Sequence, residues 1–218
     1  MPATSIWLSS LTLAATGGWL AATMFAGPAS SKEPRFPQLV LDQLNEQQKP
    51  LADQIVKVSS VGIGGPYNLL LRSPVLGQRL FDLFDYLRWK TSVPTRLNEF
   101  AILIIGRQWR SQVEWFAHAP IATKAGLSTD IIAELKANKR PSKMAEDEAV
   151  VYDFVTELMA THKVSDETFA RARKVFNDQQ IVDLTAVAGN YVMVAMILAM
   201  AEQTVPPDKV EPFKVGEE

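Results

Sequence analysis

Cysteine is absent from this 218-residue chain, and histidine is limited to His118 and His162. Without a thiol there is no disulfide, no thiolate metal site and no thiol-based redox cycle. A transition-metal site would have to be mainly carboxylate, against the usual recruitment of imidazole and thiolate, so neither a metal nor another cofactor is expected. Charge of one sign is lacking too. The 22 basic and 24 acidic residues leave a formal net charge of −2. No basic run alternates with aromatics, and nucleic acid is therefore not an expected partner. Asn-x-Ser/Thr sequons are missing, so glycosylation says nothing about compartment. Alternating apolar and polar runs of the kind that mark half-buried strands are also missing.

With 47% hydrophobic residues, the chain can bury one sizeable core, and a single main domain is the default. Its N-terminus reads differently from the rest. Ile6 to Ala26 is uncharged, rich in Leu, Ala, Thr and Trp, and leads into Gly27-Pro28-Ala29-Ser30-Ser31. That pattern matches the apolar core of a secretory signal followed by small residues at a cleavage region, although no Lys or Arg precedes it. The run is also long enough to span a bilayer as an uncleaved anchor. A packed or disordered arm is the third reading. Residues 1–31 are thus expected to be a signal peptide or anchor. Cleavage would mean export to the periplasm or beyond, retention would mean a membrane, and otherwise the protein is cytoplasmic.

Beyond this segment nearly every stretch reads as helix, and the expected fold class is all-α. Lys32 to Pro37 is a proline-broken linker, and residues 32–61 form that linker plus an N-terminal helix opened by Asn45 and Gln48 in a capping-box pattern. Gly62 to Pro66 is a turn-rich break. Ser73-Pro74 and Ser92-Val93-Pro94 each start a helix, the second carrying Glu99 and running to the Ser111 region. Pro120 is expected to bend or break the chain after His118, and Gly126 to end the next short helix. Ser128, Ser142 and Ser165 read as N-caps. The last helix, from Gln180 to Gln203, is apolar nearly all round, which fits a central core helix or an oligomer interface better than a membrane span.

The chemistry concentrates between Glu99 and His118. Read as one helix at roughly 100° per residue, Arg107, Ser111, Glu114 and His118 fall within about 60° of one another. A cation, a hydroxyl, a carboxylate and an imidazole on one stripe of an apolar segment are costly unless they serve one another or a ligand. His118 is either a general acid/base oriented by Glu114 one turn earlier, or a core histidine held by that same carboxylate. Glu99 either shares in the site or serves the helix dipole. Arg107 or Arg110 either grips a substrate carboxylate or pairs internally with Glu99 or Glu114. Trp115 and Phe116 read as core or pocket wall. Asn190 and Tyr191 could add hydrogen bonds to a pocket, and His162 reads as a solvated helix cap.

Gly65-Pro-Tyr-Asn-Leu-Leu-Leu-Arg-Ser-Pro74, Asn98-Glu-Phe-Ala-Ile-Leu103, Arg107-x7-Trp115-x2-His118 and Ala125-Gly-Leu-Ser128, taken in that order, resemble the carboxymuconolactone decarboxylase family. The resemblance covers residues 62–207 and leaves 208–218 as a polar C-terminal tail. It implies the helical fold shared with alkylhydroperoxidase-D-like proteins, and trimers or hexamers of such subunits. The peroxidase branch of that fold carries Glu-x11-Cys-x2-Cys-x3-His. Here Glu99 and His118 stand at the matching ends, with Ser111 and Glu114 at the two cysteine positions, and neither can form or exchange a disulfide. The resemblance therefore implies a cofactor-free enzyme acting on a small carboxylated lactone or unsaturated acid. His118, Glu114 and Glu99 would be catalytic, and Arg107, Arg110, Ser111 and Trp115 substrate-binding. The alternatives are a non-enzymatic helical scaffold or binding protein that keeps the fold and, behind it, a non-thiol peroxidase.

Overall fold

Nine α-helices make up the domain among the residues that a computed structural model describes, namely 34–59, 61–206 and 208–213. The apolar run Ile6–Ala26 lies outside them. The helices are α1 (Lys49–Val58), α2 (Pro66–Leu70), α3 (Pro74–Asp85), α4 (Thr95–Gln108), α5 (Gln112–Lys124), α6 (Thr129–Lys136), α7 (Glu146–Thr161), α8 (Asp166–Val175) and α9 (Asp178–Met200). A π-helical turn, Tyr86–Lys90, extends α3. No strand occurs among the described residues, and the fold is all-α.

Most helix starts follow the local chemistry. Asn45 and Gln48 exchange reciprocal hydrogen bonds at 3.0 Å ahead of α1. Prolines open α2 and α3, where a missing N–H costs nothing. Ser111, Ser128, Ser165 and Asn177 cap α5, α6, α8 and α9 through their side chains. Two expectations fail. Ser142 caps nothing, because its N–H and hydroxyl both go to Glu134. Helix α7 begins instead at Glu146, where the Glu148 carboxylate accepts from the Ala145 N–H. Pro120 does not break the chain either. Helix α5 passes through it to Lys124, and Gly126, at φ 96°, supplies the left-handed exit.

Helix α4 is the hub. Every residue from Leu97 to Arg107 is buried, and α5, α6, α7 and α9 pack around it. A helix enclosed on all sides needs no amphipathic stripe. A second apolar cluster joins α1, α2 and α3 to the C-terminal half of α9 through residues such as Leu51, Ile55, Leu71, Val194 and Leu198. Helix α9 runs through both clusters, with Leu184, Val187 and Tyr191 in the main one. Among the described residues it is the one helix long and apolar enough to cross a membrane. Its inner face is core, while Val182, Met196 and Met200 form an exposed outer stripe. The segment 208–213 does more than extend a polar tail. Phe213 is buried, its backbone exchanges two hydrogen bonds with the Gln112 side chain, and its ring meets Trp115 edge-on at 5.2 Å.

Two polar residues pin the π-turn. Buried Asn98 donates from Nδ2 to the Leu87 carbonyl at 3.0 Å. Buried Asp183 accepts from the Tyr86 hydroxyl, the Thr91 hydroxyl, and both the N–H and hydroxyl of Ser92. Burial opposes charge on Asp183, but bonds from Ser92, Tyr86 and Thr91 outweigh it and hold its carboxyl below the usual aspartate range.

Helix α3 seats against α2 and α1 through Gly77. A Cβ there would meet the Leu70 carbonyl oxygen at 2.6 Å and a Leu51 methyl at 2.8 Å. Backbone cannot swing aside as a side chain can, so Gly77→Ala should destabilise the domain by about 1–3 kcal/mol despite the better helix propensity of alanine. Urea denaturation measures this, and an unchanged or higher midpoint would show that the α2–α3 contact is slack.

Candidate functional site

A cavity of about 950 Å³ opens between α2, the π-turn, α5, α9 and the segment after α9. Its wall is mostly apolar, with Tyr67, Phe84, Val113, Phe116 and Val194 among its lining residues. The polar groups that reach it include Arg88, Glu114, His118, Asn190 and Tyr191. Convergence of a few polar groups on an apolar cavity is the usual signature of a small-molecule site.

The imidazole of His118 is held from behind. Its Nδ1 lies 2.7 Å from Oε2 of Glu99, and both side chains are buried. A carboxylate acceptor at that distance selects the tautomer with the proton on Nδ1 and leaves Nε2 for the cavity that the ring lines. Tyr191 meets the ring edge-on, with centroids 5.0 Å apart and an interplanar angle of 89°. Burial pushes the Tyr191 phenol upward while the charge of Arg88 pulls the other way, so the hydroxyl stays protonated and can donate.

The partner of His118 is thus Glu99, from the neighbouring helix, and not Glu114 from its own. Glu114 lines the same cavity, yet neither of its buried carboxylate oxygens has a hydrogen-bond partner. Burial drives its carboxyl up to about 8, against a small opposing pull from the Ser111 hydroxyl, which lies outside bonding geometry with the carboxylate. At neutral pH Glu114 is therefore mainly a neutral acid and can itself donate a proton.

The stripe from Arg107 to His118 is not one helix. Helix α4 stops at Gln108 and α5 begins at Gln112, with Arg110 between them at φ 49°. That left-handed residue resets the helical phase. Glu99, Glu114 and His118 come together, whereas Arg107, Arg110, Ser111 and Trp115 stand outside the cavity wall. Arg107 donates from Nε to the Lys136 carbonyl at the end of α6 and lies over Phe213. Ser111 caps α5 by accepting from the Glu114 N–H. Trp115 packs into the core against Phe213. His162 sits exposed at the end of α7 in a left-handed conformation, a helix cap as expected.

Tyr67 and Arg88 enter the site with no warning from periodicity, whereas helical spacing already puts Phe84 on an inner face. Arg88 is the one Arg or Lys among the described cavity-lining residues. The only local signal was the Arg88-Trp89 pair at the end of an amphipathic helix, where the π-turn now turns the arginine inward.

No protein-family model matches the chain, and no curated protein matches it in sequence. Solved structures do. One is the alkylhydroperoxidase AhpD core of an uncharacterized peroxidase-related protein from Ralstonia eutropha JMP134, with 15% identity and a TM-score of 0.67, covering 82% of this chain and 95% of that one. Another is an uncharacterized peroxidase-related protein from Silicibacter sp. TM1040, with 17% identity, a TM-score of 0.63 and the same coverage. At these identities the likeness is one of fold. The chain has an alkylhydroperoxidase-D-like helical fold, in a version that contains no cysteine.

The raised carboxyl of Glu114 has a signed consequence. Between the ordinary glutamate range and pH 8 the unfolded chain releases this proton while the folded one keeps it, so this group makes stability fall as pH rises. Glu114→Gln should flatten that part of the profile and leave the variant more stable than wild type above pH 8. Urea titrations across that range measure it. Parallel profiles for the two proteins would mean that Glu114 is ionised in the fold.

Proposed function

We propose that the protein is a cofactor-free enzyme of carboxymuconolactone decarboxylase type, acting by general acid/base chemistry on a small carboxylated lactone or unsaturated acid. The observation that carries this reading is the buried Glu99–His118 pair, whose ring lines a large apolar cavity. A histidine serving only the core would be sealed by its neighbours.

In the proposed reaction the bond between the substrate carbon and its carboxylate breaks, and CO2 leaves. The electron pair stays on the substrate, delocalised into the unsaturated ring. Protonated His118 then delivers the Nε2 proton to carbon and regains one from water, so the net change is one proton taken up per CO2 released. Glu99 keeps the ring aimed by accepting from its Nδ1. The apolar wall strengthens these electrostatic terms by excluding water. Tyr191 and neutral Glu114, which line the same cavity, would donate hydrogen bonds to the developing enolate oxygen. A scaffold role is the competing reading, and it requires that the cavity hold no reactive ligand.

Carbon dioxide release from a panel of carboxylated lactones and unsaturated acids tests the proposal. His118→Ala should lower kcat by about 10²–10⁴, His162→Ala should leave it unchanged, and iodoacetamide should have no effect. Equal rates for both histidine variants, or no release from any acid in the panel, would replace the enzyme with the scaffold.

The same reading implies a trimer or hexamer, and the exposed Val182, Met196 and Met200 of α9 offer apolar surface for a second copy of the chain. Light scattering on the wild type should then give a multiple of the chain mass, and Met196→Glu should reduce it. A monomeric wild type removes the assembly without touching the site.

A further inference from the structure

Several arginines of this domain are committed to protein partners. Arg35 bonds Glu202 and the Met200 carbonyl, Arg72 reaches the Pro37 carbonyl, Arg96 pairs with Asp147 and Glu148, and Arg107 takes the Lys136 carbonyl. Arg88 differs. It makes no hydrogen bond or ion pair among the described residues, and its buried Nε has no partner. A cation drawn partly out of water without an anion is an unfavourable arrangement in the empty protein, and an incoming carboxylate would relieve it.

The fold nevertheless holds this residue in place. Arg88 lies on the π-turn Tyr86–Lys90, a backbone form that recurs at functional sites. Asn98 fixes the Leu87 carbonyl, one residue before it. Asp183 takes the Tyr86 hydroxyl on one side and Thr91 and Ser92 on the other. The guanidinium carbon lies over the Trp89 ring, 4.5 Å from its centroid. A cation–π contact of this kind satisfies none of the N–H donors and leaves them for a carboxylate. Its charge also acts on Tyr191, the residue that meets His118 edge-on.

We propose that Arg88 is the carboxylate-binding residue of the cavity, holding the retained carboxylate of a small unsaturated or lactone acid in a bidentate pair. The apolar body of the ligand would lie against Tyr67, Phe84 and Val113, with its reacting carbon toward His118. Neutral Glu114 fits this assignment, since a second negative charge in the cavity would repel such a ligand. The substrate class rests on the proposed function, but the anion preference of the cavity does not.

Calorimetric titration of the full chain tests it with two matched pairs: benzoate against methyl benzoate, and a butenolide-acetic acid against its methyl ester. Wild type should prefer the acid in each pair by roughly tenfold or more. Arg88→Gln should abolish that preference and leave ester binding nearly unchanged, while Arg107→Gln should keep it. A wild type with no acid preference, or an Arg88→Gln protein that retains it, overturns the proposal. If Arg88→Gln fails to fold, Arg88→Lys decides, because it keeps the charge and stem but loses the fork. Its acid preference should fall, and an unchanged one overturns the bidentate assignment. His118→Ala separates this proposal from the enzymatic reading. That variant should keep the acid preference even where turnover is lost.

Discussion

A carboxylate and an imidazole buried side by side hold the centre of this domain together. Glu99 and His118 would each be costly to bury alone, and at 2.7 Å they satisfy one another. The pair joins α4, the enclosed hub, to α5, the helix that walls the cavity. It forms only because the chain reverses at Trp109–Ser111. Arg110 takes the left-handed conformation there, and Ser111 restarts the helix as its cap. Loss of either turn feature would cost little locally but would separate the two groups on which the site depends.

The two glutamates of the site live in opposite environments. Glu99 has an imidazole partner. Glu114 has no hydrogen-bond partner, and desolvation drives it toward the neutral acid. One fold thereby keeps a carboxyl group hydrogen-bonded to the His118 ring behind the cavity and a neutral carboxylic acid in the cavity wall. The cation of the cavity wall is Arg88, whose charge acts on the Tyr191 phenol, and Tyr191 in turn meets the His118 ring edge-on.

Residues 111 and 114, where the resembling peroxidase motif carries cysteines, illustrate how one position can serve both helix and site. Ser111 is a good N-cap, and Glu114 stands in the first turn, where an acid is ordinarily favoured. The cap bond explains the serine. It does not explain the glutamate, whose carboxylate oxygens are buried with no hydrogen-bond partner. An unpaired buried acid at a helix start is a cost to stability, and the cavity is the feature of the structure that gives it a use.

The amino-acid sequence by itself determined the helical class, the starts at Pro74, Ser128 and Ser165, and the concentration of polar groups between Arg107 and His118. The starts follow from local chemistry, since a cap satisfies N–H groups within one turn and proline fixes φ, and apolar spacing marks the buried face on which those polar groups stand out. Glu99 joined them only through the family resemblance. Tertiary structure alone decided which side chains meet. Counting along a single helix aimed Arg107 at the ligand, and the left-handed Arg110 breaks that helix between Arg107 and the pair Glu114 and His118. Glu114 and His118 do share α5 one turn apart, but spacing within a helix shows only which side chains are within reach, and Glu99 from α4 takes the His118 Nδ1 instead. Ser142 failed as a cap for a related reason: Glu134, eight residues back in the chain, competed for its N–H and hydroxyl. Arg88 was hidden most completely. Its inward aim depends on a π-turn held by Asn98 from α4 and Asp183 from α9, and contacts made across such sequence distances leave no periodic trace around the residue they position.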